Sequence, residues 1–373
     1  MTPSSPSATH IADSGIVRTR SANTPVGAPG APLGRGRTPI MYRLPRCLVS
    51  LFALGAFLFP TAVVAVIVPG PATAAPGGPA ILSVRPLGGR QLEVVVHSAA
   101  MNRPITLWMS HPGAGAPTLY LLNAVDGGED GGPWTRRTDV AQFFSDKHVN
   151  VVVPMSGRAS YYTDWLADDP VLGRNQWETF LSRELPPLLA DRFQTSGRNA
   201  VAGLSMSATS ALNLAIRSPG LYQAVGAFSG CTRTSDPMAV ATVFTQLGVF
   251  GANAANMWGP PGHPAWAEHD PMLHLDRLRG LAVYVSSGNG GPGAHETLAS
   301  PDINGNPIKL ADRMLVGGAM EAFVSGCTRP LVDSLAAQRI PATINLRQGT
   351  HAWEYWQDDM HQSWSVFAPA LGV

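Results

Sequence analysis

The chain is poor in charge and in cysteine. Of its 373 residues only 14% are charged, and 26 Lys+Arg stand against 25 Asp+Glu. So even a balance leaves no basic surplus to hold a phosphate backbone, which speaks against a nucleic-acid partner. The three cysteines, Cys47, Cys231 and Cys327, form no CxxC pair and no Cys/His ligand spacing. No structural zinc follows, no metal chemistry is indicated, and no cofactor is implied. Internal repeats and interdomain linkers are also missing. What is abundant is apolar: hydrophobic residues make up 45% of the chain, far too many for a disordered one.

Charge is unevenly placed. Residues 1–74 hold six arginines (Arg18, Arg20, Arg35, Arg37, Arg43, Arg46) and one acid, Asp13, so the remainder carries 20 of the 26 basic and 24 of the 25 acidic groups. Residues 1–40 are rich in Ser, Thr, Pro, Gly and Ala without apolar periodicity, a composition that buries too little to offset chain entropy. We read them as an unfolded or over-called head. A positive segment then runs from Met41 to Arg46, an apolar run from Cys47 to Val68, and a small-residue exit through Ala72-Thr73-Ala74-Ala75. That is the layout of a secretory signal peptide over residues 41–74, cleaved after Ala74 or Ala75. The competing reading is a membrane anchor of spanning length, against which stand Pro60 and the lack of basic residues just beyond the run. Export would remove Cys47, leave Cys231 and Cys327 as a pair, and permit a disulfide between them. Two buried free thiols are the alternative.

From Ile81 onward, runs with strand character alternate with helical ones, and one domain over residues 75–373 is the economical reading. Strands are expected at Gln91–His97, Ile105–Met109, Thr118–Leu122, Val149–Val153, Ala200–Leu204, Ala224–Phe228, Ala282–Ser286 and Thr343–Leu346. Helices are expected at Trp177–Arg192, Met206–Arg217, Pro237–Leu247, Leu310–Val324 and Trp353–Leu371. The fold class is α/β, a mostly parallel sheet with helices on both faces, preceded by antiparallel strands. Two long loops, Gly127–Pro133 and Gly251–Asp270, are candidates for functional segments.

The chemistry begins at Val201-Ala-Gly203-Leu204-Ser205-Met206-Ser207, between an apolar strand and an Ala-rich helix. It is a variant of the G-x-S-x-G turn, with Ser207 in place of the second glycine. Small neighbours allow the chain to turn sharply and expose the serine, and the amide after it, at a helix N-terminus, is placed to donate to an oxyanion. Such a serine needs a base and an acid later in the chain. His351, between the last strand and the last helix, is the favoured base over His295 and His361. For the acid, Glu321, Asp302 and Asp312 compete, and the residues alone do not separate them.

Several blocks in order then point to a family: Leu119-Tyr-Leu-Leu122, Ser160-Tyr-Tyr-Thr-Asp-Trp165, Trp177–Pro186, Gly203-Leu-Ser-Met206, Met257-Trp-Gly-Pro260, Asp270-Pro271 and Gly349-Thr-His-Ala-Trp-Glu-Tyr-Trp356. Over residues 117–371 the chain resembles the mycolyltransferases of the antigen 85 complex. The resemblance implies an α/β-hydrolase fold and a triad of Ser205, Glu321 and His351, with the Met206 and Val125 amides as oxyanion donors. It also implies transfer of a mycolyl group from trehalose monomycolate to a second trehalose monomycolate or to arabinogalactan, hence cell-envelope glycolipid partners and an extracytoplasmic place.

The chain also departs from the family. Where the family loop reads Asp-Gly-Leu-Arg, with Asp and Arg holding trehalose, this chain has Asn123-Ala124-Val125-Asp126. A forked donor has become a carboxylate. Asn123, Asp126 and Trp353 remain the expected substrate contacts, and Trp258 and Trp266 the expected wall of an acyl channel, with ordinary core as the alternative. Cys231 and Cys327 have no counterpart in the family's pattern; a bridge between them would pin the helix bearing Glu321. Two other functions compete: a secreted carboxylesterase or lipase with the same triad, and a non-catalytic wall- or matrix-binding protein, since the family includes a member without the serine. Acyl length, acceptor and oligomeric state are not determined by the sequence.

Overall fold

The computed structural model describes residues 77–129 and 132–373; the head and the expected signal segment at 41–74 lie outside the described residues. Nine strands form one sheet: β1 (Ala80–Gly88), β2 (Gln91–Ser98), β3 (Arg103–Ser110), β4 (Thr118–Leu122), β5 (Asn150–Pro154), β6 (Asn199–Leu204), β7 (Tyr222–Phe228), β8 (Ala282–Ser287) and β9 (Thr343–Leu346). Their spatial order is β1-β2-β3-β5-β4-β6-β7-β8-β9. β1, β2, β3 and β5 pair antiparallel, and every pairing from β5 through β9 is parallel. β4 and β6 are buried at every residue, as continuous apolar runs in a parallel sheet covered on both faces must be.

The helices are α1 (Trp134–Arg137), α2 (Val140–Phe143), α3 (Trp177–Thr179), α4 (Leu185–Phe193), α5 (Met206–Arg217), α6 (Pro237–Val249), α7 (Ala254–Trp258), α8 (Pro264–Glu268), α9 (Pro307–Asp312), α10 (Gly318–Ala337) and α11 (Trp353–Leu371). Val201 of β6 packs on one side of the sheet with Ala208, Ala211 and Leu212 of α5. Its neighbours Ala200 and Ala202 pack on the other with Trp356, Met360 and Phe367 of α11. The period-2 alternation of a strand thus divides the core into two layers.

Three elements differ from expectation. β1 was not anticipated: it is an edge strand, exposed along most of its second half and interrupted by Pro86, so it carries no alternating apolar signal. The segment Trp177–Phe193 is helical but not uniform, because a π turn at Phe180–Glu184 separates α3 from α4, whose second residue is Pro186. The helix expected at Leu310–Val324 runs from Pro307 to Ala337 through a π turn at Arg313–Gly317. Gly326 and Pro330 suggest a stop in the sequence, yet Leu331 and Leu335 are buried in the core, and that burial carries the helix past them.

The parallel registers place the site. Leu122 lies opposite Gly203 and Leu204 opposite Phe228, so the chain segments that leave β4, β6 and β7 emerge together at the carboxyl edge of the sheet.

Candidate active site

Ser205 follows β6 directly and caps α5, with φ 52° and ψ −121°, a conformation that a non-glycine residue adopts only when its surroundings compel it. Two glycines make the turn possible. A Cβ on Gly203 would lie 2.1 Å from the Ser207 carbonyl oxygen, and one on Gly230 would lie 2.3 Å from the Ala208 Cβ. Ser207 explains its own presence where a glycine is usual. It is wholly buried; its Oγ accepts from the Leu204 amide at 3.0 Å and lies 3.2 Å from the Leu122 carbonyl. That hydroxyl ties the serine turn to the end of β4.

The three residues singled out as nucleophile, base and acid meet here. His351 lies between β9 and α11, and its Nε2 is 2.9 Å from Ser205 Oγ. Its Nδ1 is 2.6 Å from Glu321 Oε2. Glu321, in the first turn of α10, is fully buried. Its Oε1 accepts from Ser229 Oγ at 2.7 Å, from the Gly288 amide at 2.5 Å and from Ser287 Oγ at 3.3 Å. Burial alone would push this carboxyl upward. The His351 contact, with the bonds from Ser229 and Gly288, outweighs burial and holds it below the ordinary glutamate range.

Three of the four competing acids and bases are paired with other partners. Asp302 pairs with Arg137 at 3.1 Å, His295 binds Asp358 at 2.7 Å, and His361 binds Asp139 at 2.8 Å while stacking on Phe143. Asp312 is exposed on the last turn of α9.

Val125 sits beside Ser205 at the mouth of a cleft, and Met206 is the first residue of α5. Among the described residues, neither amide donates to a protein acceptor. Both can therefore serve an oxyanion.

Two clefts open at Ser205 and His351. The first, about 450 Å³, is mostly apolar; Met206, Ala239, Val243, Met320 and Phe323 line it, so its walls are α6 and α10. The second, about 510 Å³, is the more polar of the two, with charged Arg137, Asp302, Lys309, Asp312 and Arg313 set among apolar side chains, and lies between Val125, Trp353 and the region around α9. Trp353 is where a substrate contact was expected. Asn123 is not: it is fully buried, its Nδ2 donates to the Pro154 carbonyl at 2.6 Å, and its Oδ1 accepts from the Trp134 amide at 3.3 Å, so it fastens the loop after β4. Asp126 is half-buried and turned onto its own loop, accepting from the Gly128 amide at 3.1 Å, and burial raises its carboxyl above the ordinary range. Neither residue lines the polar cleft. Trp258 and Trp266 belong to the core rather than to the acyl wall; they pack edge to face at 5.2 Å and are 1% and 2% exposed.

Sequence reasoning missed three groups. Ser229 supports Glu321 from a left-handed position at the end of β7, signalled only by Phe228-Ser-Gly230. Tyr161, one of two successive tyrosines with positive φ, reaches the apolar cleft and hydrogen-bonds Gln246 of α6. Arg137 faces the polar cleft from α1 with nothing local to mark it. The expected cysteine pair is joined, Cys231 to Cys327, across 96 residues.

A family model described as "Putative esterase" matches residues 98–365. The chain is 33% identical over 294 residues to diacylglycerol acyltransferase/mycolyltransferase Ag85B of Mycobacterium leprae, covering 75% of this chain and 84% of that protein. It is also 33% identical over 291 residues to Ag85A of Mycobacterium tuberculosis, covering 74% and 80%. Among solved structures it is similar to MPT51 of Mycobacterium tuberculosis, with a TM-score of 0.61 and 25% identity over 74% of this chain and 96% of that one. An S-formylglutathione hydrolase from Agrobacterium tumefaciens superposes with a TM-score of 0.55 at 14% identity, over 78% and 99% of the two chains, and shows the fold alone.

Proposed function

The chain belongs to the antigen 85-like esterase family, on the α/β-hydrolase fold, and from that premise we propose that it is an exported serine acyltransferase. The donor in this reading is trehalose monomycolate, and the acceptor a second trehalose monomycolate or arabinogalactan. One observation carries it: the continuous relay from Ser205 Oγ through His351 to a buried, ionised Glu321, at the meeting point of an apolar and a polar cleft.

His351 Nε2 takes the proton of Ser205 as Oγ attacks the ester carbonyl. Glu321 orients the ring through Nδ1 and stabilises the imidazolium. The tetrahedral oxyanion is met by the Val125 and Met206 amides, the latter at the positive end of α5. Collapse gives the proton from His351 to the departing sugar oxygen and leaves acyl-Ser205. An acceptor hydroxyl then enters from the polar cleft, gives its proton to His351, and attacks the acyl carbon. The apolar cleft holds the acyl chain and limits water, which favours transfer over hydrolysis. Export is read from the residues at 41–74 and fits the Cys231–Cys327 bridge. Among the described residues no helix is long and apolar enough to cross a membrane.

A second reading, a secreted esterase, is favoured by the burial of Asn123 and the turn of Asp126 onto its own loop, which leave the loop after β4 without a sugar contact. Incubation of the purified protein with trehalose monomycolate and trehalose, beside Ser205→Ala, decides between them by mass spectrometry of the lipids. Serine-dependent trehalose dimycolate supports transfer. Serine-dependent free mycolate alone supports the esterase, and no serine-dependent product would leave the non-catalytic role.

A further inference from the structure

Three charged side chains of the polar cleft, Arg137, Asp302 and Arg313, are connected to one another and to Glu354 behind them. Asp302 Oδ1 accepts from Arg137 Nη1 at 3.1 Å, and its Oδ2 lies 3.5 Å from Arg313 Nη2. The same Arg313 nitrogen donates to Glu354 Oε1 at 2.9 Å, and Arg313 Nη1 donates to the His295 carbonyl at 3.2 Å. A row of alternating sign, Arg137–Asp302–Arg313–Glu354, therefore crosses from α1 over the loop before α9 to α11. Its inner end is fixed, because Arg313 and Glu354 keep only 8% and 13% of their side-chain surface in contact with solvent. Its outer end is open, with Arg137 and Asp302 at 41% and 42%. Lys309 and Asp312 complete the rim. Three cations and two carboxylates thus line the cleft, and Glu354 behind Arg313 brings the group to formal neutrality.

We propose that this row selects the acceptor: the outer pair, Arg137 and Asp302, binds an uncharged polyhydroxylated group laid beside Trp353, and rejects an ionised one. The inference rests on the acyl-transfer reading and names residues that give it specificity. A hydroxyl both donates and accepts, so neighbouring hydroxyls satisfy Asp302 and Arg137 together without breaking the row. A ligand carboxylate that shares Arg137 is drawn close to Asp302, and the two carboxylates then face each other at short range. The loop after β4 gives this cleft only Ala124 and Val125, and the guanidinium at its outer end comes from Arg137 of α1.

The test uses the purified full chain with p-nitrophenyl butyrate as acyl donor and trehalose, glucose or glucuronate as acceptor. Mass spectrometry gives the ratio of transferred to hydrolysed butyryl. That ratio is formed after acylation, so it cancels changes in the donor step. The unaltered protein transfers to trehalose and glucose and not to glucuronate. Losing one hydrogen bond of ordinary strength is worth about tenfold, so Arg137→Ala lowers the sugar ratio by about that factor through acceptor KM. Asp302→Asn removes one negative charge beside Arg137 and makes glucuronate an acceptor, a gain that a merely structural role would not produce. Transfer to glucuronate by the unaltered protein as readily as to glucose overturns the proposal. So do sugar ratios within about twofold of the original in both variants, a change below the worth of one hydrogen bond. If Ser205-dependent p-nitrophenol release occurs but no acceptor captures the acyl group, the transferase reading itself fails, and this inference with it.

Discussion

In the proposed mechanism Ser205 owes its reactivity to its position between other groups. Its φ of 52° is held by the bare backbones of Gly203 and Gly230 and by the Ser207 hydroxyl, which reaches both Leu204 and Leu122. Ser205→Ala removes the nucleophile, and ester turnover should fall by a factor on the order of 10⁴ or more while the fold persists, as measured by p-nitrophenol release and circular dichroism. Ser207→Ala leaves the buried Leu204 amide without its side-chain acceptor, at a cost of about 1–3 kcal/mol in urea unfolding. Because the same hydroxyl joins the serine turn to β4, kcat should fall more than KM rises. Glu321 sets the pH response. Its carboxyl is held below the ordinary range in the folded chain, so it contributes stability that is fully present above that range and is lost as pH falls through the lowered value. Glu321→Gln should reduce stability at neutral pH and flatten the acid limb of stability against pH. A variant whose melting temperature declines toward acid as steeply as that of the unaltered protein would refute this assignment.

Among the elements, α10 has the most to do. It carries Glu321 in its first turn, lines the apolar cleft with Met320 and Phe323, and is fastened to the segment after β7 by the Cys231–Cys327 bridge and by Thr328 Oγ1, 3.4 Å from the Gly230 carbonyl. The bridge closes a loop of 96 residues in sequence. Loss of a bridge over so long a loop costs about 2–5 kcal/mol, and the variant Cys231→Ser with Cys327→Ser should unfold at correspondingly lower urea. Its residual activity should also fall, because the acid-bearing helix is freed on the side that faces the serine turn. The opposite wall, α6, is held at its start by Asp236, whose carboxylate accepts from the Met238 and Ala239 amides. Thr242 on this helix lines the cleft while remaining partly exposed. Thr242→Trp should therefore fill the groove without entering the core. The kcat/KM for palmitoyl esters is expected to drop by about tenfold relative to butyryl esters, the worth of a few buried methylenes.

At the scale of the whole molecule, an apolar cleft and one with a charged rim meet at one serine because β4, β6 and β7 end level at one edge of the sheet and deliver their following segments there. Much of this was legible in the sequence. β4 and β9 have the expected bounds, as do α5 and α11, since strongly apolar short runs and Ala-rich or aromatic periodic segments state their type locally. Ser205 was marked by its turn and His351 by its place between strand and helix. Glu321 could not be separated from Asp302 and Asp312 by the residues alone, because an acid contributed from a distant helix has no local signature. β1 was missed because an exposed edge strand need not alternate, and the continuation of α10 past Gly326 and Pro330 because tertiary burial overrode two local breakers. The sequence by itself determined the class of sheet, the Ser205 turn and the place of His351, since each rests on neighbours along the chain, and it left Cys231 and Cys327 as the two cysteines able to pair. Only the tertiary structure decided that Asn123 is buried and Asp126 turned onto its own loop, that Trp258 and Trp266 are core, and that Arg137, Asp302, Arg313 and Glu354 form one row near Ser205. Those outcomes depend on contacts between segments as far as 165 residues apart, and no local pattern of residue types records them.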